Sequence, residues 1–187
     1  MKKTLITILA TVLVCCCAVG GTLAWLVDKT DSVVNTFTVG DVDIELIENG
    51  AVDGKQSFKM IPGTTVDKDP YVTVSSDSED CWVFVSIEES ASLADFITYN
   101  VDGNVWVEVE DDVWATKAKQ SAGAELHLFS TGKVSIKEGV TKDMMDKVEK
   151  GTTVQPTLTF TAYAIQAEKF DTNAEAWAQI KTDLSLT

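Results

Sequence analysis

Cys81-Trp82-Val83-Phe84-Val85-Ser86-Ile87-Glu88 is the stretch that decides the fold. Val83, Val85 and Ile87 share one face, and Ser86 and Glu88 fall on the other, the two-residue period of a strand with one side turned inward. The same period recurs on both sides of it. Upstream, Val42-Asp43-Ile44-Glu45-Leu46 alternates apolar and acidic residues, preceded by Phe37 and Val39 with Gly40 as a bend or bulge. Phe58-Lys59-Met60-Ile61 reads as a short strand stopped by the turn pair Pro62-Gly63. Residues 71–74 follow Pro70 with Val72 and Val74 on one face. Asn49-Gly50, Asp53-Gly54 and the polar run Ser76-Asp77-Ser78-Glu79-Asp80 are turn and loop signals.

Downstream, Asp102-Gly103 turns the chain into a segment where Val105, Val107 and Val109 alternate with Trp106, Glu108 and Glu110. Residues 126–129 and 133–137 are expected to form a hairpin around Thr131-Gly132. Residues 157–166, rich in Thr, Phe, Tyr and Ile, form the longest expected strand. Two helices are expected. One covers 141–150, with Thr141 as cap and Met144, Met145 and Val148 on one side. The other opens with the capping-box spacing Thr172-Asn173-Ala174-Glu175 and repeats Trp177, Ile180 and Leu184 at helical intervals. Closely spaced strands divided by Gly, Asn and Asp turns define an all-β chain, an antiparallel sandwich with a short C-terminal helix. The pattern lacks the alternation of strands and helices that builds a nucleotide-binding sheet.

The 187 residues suit one domain with a short appendage. They carry 15 basic and 29 acidic side chains, a net charge of −14. That balance argues against nucleic acid as a partner, since phosphate binding needs clustered Lys and Arg. The appendage is N-terminal. Basic Lys2-Lys3, an uncharged apolar run and the small-residue stretch Gly20-Gly21-Thr22-Leu23-Ala24 make residues 1–24 a cleavable signal helix, cut between Ala24 and Trp25. A retained membrane anchor, or a lipid on one of Cys15, Cys16 or Cys17, is the alternative; bulky Val12-Leu13-Val14 disfavours the lipid. Cleavage removes two lysines and three of the four cysteines, leaving Cys81 alone and expected buried in its strand.

Few residues suggest chemistry. His127 is the only histidine, so neither a two-histidine zinc helix nor a serine or cysteine triad can be assembled. No catalytic, cofactor or metal residue is therefore assigned. Three acidic clusters, Asp41/Asp43/Glu45, Asp77/Glu79/Asp80 and Glu108/Glu110/Asp111/Asp112, offer hard oxygen ligands without the spacing of a dedicated calcium loop. Weak calcium bridging between subunits is the one cation role this leaves. Trp82, Trp106 and Trp114 could line a carbohydrate groove, but on strands such residues more often pack, and packing is the expectation.

The stretch from Gly20 to Asp28, followed by Asn35 to Ile44, resembles the start of the TasA/camelysin (CalY) family of Gram-positive secreted proteins, whose signals are cut by the signal peptidase SipW. Ile61-Pro62-Gly63 with Lys68-Asp69-Pro70, Asp80 to Val85, and Thr161 to Phe170 leading into Ala176-Trp177 are similar to the same family. The likeness fades between Ser90 and Lys150. The resemblance implies a jelly-roll-like sandwich over residues 36–187 and a role in extracellular biofilm-matrix fibres. It further implies self-association through a donor strand at residues 25–35, led by Trp25, Leu26, Val27, Val33 and Val34. SipW-type processing and a matrix or cell-surface partner belong to the same implication. A camelysin-like surface metallo-endopeptidase and a monomeric adhesin are the competing readings. Peptidase activity is not carried over, because a single imidazole and no zinc motif stand here.

Overall fold

The computed structural model describes residues 41–51 and 56–186. Three antiparallel sheets organise them. The first runs in the order β1 (Ile44–Glu48), β3 (Pro70–Val74), β8 (Glu125–His127). The second runs β10 (Leu158–Gln166), β4 (Cys81–Glu89), β7 (Val113–Thr116), β6 (Trp106–Glu110). The small third sheet runs β2 (Thr65–Asp67), β9 (Lys133–Ile136), β5 (Ile97–Thr98). Between them lie α1 (Leu93–Phe96), α2 (Lys142–Glu149), a single 3-10 turn (Ala167–Lys169) and α3 (Asn173–Leu184). The fold is all-β with a C-terminal helix.

The first and second sheets bury Val72, Val74, Val83, Val85, Ile87 and Trp106 between them, with Leu126, Leu128 and Phe129. Strand β4 is not half-wet as its alternation implied. Its other face, Trp82 and Phe84, is also buried, under Ala176, Trp177 and Ile180 of α3. The arrangement is thus sheet, sheet, helix. The capping box of α3 forms as the sequence predicts: Glu175 N donates to Thr172 Oγ1, and Thr172 N donates to Glu175 Oε2. Leu184, in the last turn, leaves the stripe and is exposed. Thr141 Oγ1 likewise caps α2 by accepting from Met144 N, and Met144, Met145 and Val148 pack towards Phe96, Ile136 and Val140.

Two local expectations are corrected. Residues 58–61 form no strand; they lie beside the third sheet as irregular chain that ends in the Pro62-Gly63 turn. In β6, Trp106 packs in the main core, as expected, while Val107 is exposed. The indole buries more apolar area than a valine, and its Nε1 donates to His127 O at 2.7 Å. The expected hairpin around Thr131-Gly132 is a corner instead. β8 pairs with β3, whereas β9 pairs with β2 and β5. Opposite Thr65↔Ser135 and Tyr71↔His127, the longer strand carries two extra residues, which bend the chain from one sheet to the next. Gly132 makes the corner at φ +61°, where a Cβ would lie 3.3 Å from Asp69 Cγ.

Candidate functional site

The residues expected to act, Ala24 and Trp25 at the cut and Trp25, Leu26, Val27, Val33 and Val34 in the donor strand, lie outside the described residues, as do Phe37, Val39, Gly40 and Asp53-Gly54. What the structure describes is the surface such a strand could meet.

That surface begins with β10. Ser90 N donates to Thr157 O and Ala167 N to Asp80 O, which fixes the parity of the β10–β4 ladder. Odd-numbered residues of β10 turn their main-chain groups to β4. Leu158, Phe160, Ala162, Ala164 and Gln166 therefore direct N–H and C=O to the opposite side, where no strand among the described residues pairs with them. The same parity holds in β1: Ser75 N donates to Asp43 O, so Ile44, Leu46 and Glu48 face away from β3. β1 and β10 approach each other along one flank of the sandwich without pairing. Strand edges are normally guarded by charge, proline, a bulge or shortness. β10 has nine residues, Leu-Thr-Phe-Thr-Ala-Tyr-Ala-Ile-Gln, with no charge and no proline.

Lys68 stands at the seam between these two edges. Its ammonium pairs with Glu48 Oε1 of β1 at 2.5 Å and lies 5.1 Å from the ring centroid of Phe160 and 5.4 Å from that of Phe58. Beside it opens a cleft of about 360 Å³, lined by Phe58, Met60, Val66, Ile97, Ile136 and Leu158 among others. Gln56 borders the cleft, and its buried Oε1 finds no donor among the described residues. A backbone N–H entering along β10 is the kind of donor that a buried carbonyl oxygen lacks. Sequence reasoning missed Lys68, Glu48 and Gln56, because a charge buried by a long-range ion pair has no signature in local spacing.

The remaining candidates are accounted for structurally. His127 Nδ1 lies 3.0 Å from both carboxylate oxygens of Asp69, its Nε2 lies 2.8 Å from Glu125 Oε1, and its ring stacks on Tyr71. Its pKa is raised, first by the bond to Asp69. The two carboxylates occupy opposite edges of the ring, so they cannot join the imidazole around one ion. Among the described residues no three His, Cys, Asp or Glu side chains are grouped to hold a metal. Of the acidic clusters, Glu110 is engaged by α3: its Oε2 accepts from Trp177 Nε1 at 2.6 Å and from Lys181 Nζ at 2.7 Å. Asp43 Oδ2 accepts from Ser75 Oγ at 2.7 Å. Cys81 is fully buried, and burial raises its thiol pKa to about 11, so it is inert as a nucleophile. Trp82 and Trp106 pack in the interior, as expected; Trp114 is only half-buried.

Compared with known protein families, curated proteins and solved structures, the chain matches none. The described residues form an all-β sandwich in which one side of β10 pairs with no strand among them.

Proposed function

We propose that the chain is a secreted structural protein of the TasA/camelysin type. Residues 25–35, freed by cleavage after Ala24, add to the β10 edge of a neighbouring copy and so build fibres of an extracellular matrix. The observation that carries this reading is the nine-residue, uncharged edge of β10, unpaired among the described residues, beside the cleft lined by Phe58 and Leu158. Strand addition draws affinity from main-chain hydrogen bonds and specificity from alternate side chains set into pockets. Trp25 and Val27 fall on one face of such a strand, and the cleft bordering Leu158 offers apolar surface to receive them. A donor at one end of the molecule and an acceptor on its flank form a head-to-tail contact, which propagates as a filament unless its rotation closes a ring. A SipW-type signal peptidase would then couple export to assembly, and a surface or matrix partner would seed or anchor the fibre.

Deletion of residues 25–35 from the processed protein tests the reading. Folded monomers by circular dichroism and no filaments by electron microscopy are expected; filaments of undiminished length would sink it. The peptidase reading has no comparable support, since His127 is held between two carboxylates. Chelator-sensitive cleavage of casein by the purified chain would favour it.

A further inference from the structure

Trp114 differs from the other tryptophans of the described residues. Trp82 Nε1 donates to Phe170 O, Trp106 Nε1 to His127 O and Trp177 Nε1 to Glu110 Oε2. The indole N–H of Trp114 has no acceptor among the described residues, and the ring is half-buried: part of it packs on the main core and part borders an open cleft of about 530 Å³. Clefts of this size accept small ligands or one stretch of a longer one.

The rest of the cleft wall mixes apolar Ala94, Ile97 and Val101 with polar side chains. Thr98, Tyr99 and Asn100 follow one another along it, with Glu89 from the end of β4 and Lys137 just after β9. The Tyr99 hydroxyl donates to Glu89 Oε1 at 2.6 Å, and its ring packs 5.0 Å from that of Phe129. Glu89 is thereby fixed in place, with Oε2 unpartnered among the described residues. The cleft thus combines a half-buried indole with a carboxylate, an amide, a hydroxyl and the Lys137 ammonium, which also donates to Ala94 O. That combination matches a sugar ring, which has an apolar face of C–H groups and a rim of hydroxyls that both donate and accept. Charge narrows the class further. Glu89 and Lys137 balance within the lining, but the chain as a whole carries a net charge of −14, which disfavours acidic ligands.

We propose that this cleft is a saccharide-binding site for glycans free of acidic groups, with one ring stacked on Trp114 and its hydroxyls held by Glu89 and Asn100. The proposal rests on the Trp114 cleft alone and holds whether or not the chain polymerises through β10.

Isothermal titration calorimetry of the secreted protein with cellotetraose and with the N-acetylglucosamine tetramer tests it. Saturable binding of at least one of them, one per chain, is expected. Trp114→Ala should weaken it roughly tenfold, which is about 1.4 kcal/mol and the upper range for one aromatic contact. Glu89→Gln, which keeps the volume and an acceptor for Tyr99, should weaken it by about threefold through loss of a charge-assisted bond. This second variant decides the matter if Trp114→Ala fails to fold. The proposal is overturned if neither saccharide binds by about 10 mM, well beyond the millimolar affinity of a weak site. It is equally overturned if Glu89→Gln and a folded Trp114→Ala bind unchanged, if tetragalacturonate binds as tightly, or if a proline-rich decapeptide and no saccharide occupies the cleft.

Discussion

Lys68 and Glu48 form an ion pair whose side chains are only 10% and 17% exposed, and that pair spans the seam where β1 and β10 run side by side unpaired. Burying two charges costs desolvation that their attraction only partly offsets, while removing one partner strands the other. Glu48→Gln or Lys68→Met alone should each lower stability by about 2–4 kcal/mol. The double variant should recover most of the loss. Urea unfolding of the three proteins measures this, and additive losses in the double variant would show that the two side chains act separately.

His127 makes stability depend on pH. Its folded-state pKa is raised above 6.5 by the bond to Asp69, with Glu125 adding to the effect against partial desolvation. The protonated ring between two carboxylates therefore contributes stability fully below pH 6.5, and that contribution fades as pH climbs through the higher folded-state pKa. The groups facing the ring are Asp69, Glu125 and Tyr71. Since the side chain is 43% exposed, the effect is modest. Urea midpoints at pH 5.5 and pH 8.5 should fall with pH in the parent and change less in His127→Gln; parallel curves would rule out this origin.

Proline substitutions separate the edge of β10 from its ladder. Ala162 directs its N–H away from β4, so Ala162→Pro keeps the ladder bonds and removes one donor from the open edge. Thr161 directs its N–H to β4, so Thr161→Pro breaks the ladder itself. Ala162→Pro should stay folded and lose about tenfold or more in fibre mass, whereas Thr161→Pro should be destabilised by about 3 kcal/mol. Thermal melts and sedimentation of assembled material report both; full assembly by folded Ala162→Pro would move the acceptor away from β10.

Net charge should govern the rate of the proposed association. A chain of −14, which the proposed removal of Lys2 and Lys3 by cleavage would make more negative, repels its copies until salt screens them over about 8 Å. Light scattering should show faster assembly on going from low to physiological ionic strength, with calcium more effective than sodium at equal ionic strength. Rates independent of salt would exclude charge repulsion as the barrier.

Local pattern was enough to read the strands at the centre of the molecule and both helix caps. Val72, Val74, Val83, Val85 and Ile87 face the core as their alternation requires, and Thr141 and Thr172 cap their helices. Long-range partners defeated the rest. The local alternation around Trp82 and Phe84 implies a strand with one wet face, but Trp177, far along the chain, covers them. The run 58–61 has strand composition but lies beside a sheet without joining it. The corner at Gly132 looks like a hairpin locally, and only the pairing of β9 with β2 shows that the chain changes sheets. At the candidate site, the apolar character of residues 157–166 was legible; that no described strand covers one side of them was not, because an edge is a property of neighbours.

The covering of Trp82 and Phe84 by Trp177 joins the middle of the polypeptide to its far end. A chain emerging N-terminus first, from a ribosome or a secretion channel alike, shows that greasy back to water until α3 follows it. A chain interrupted before Asn173 would keep that face uncovered and prone to stick to others, and α3, once made, closes over it.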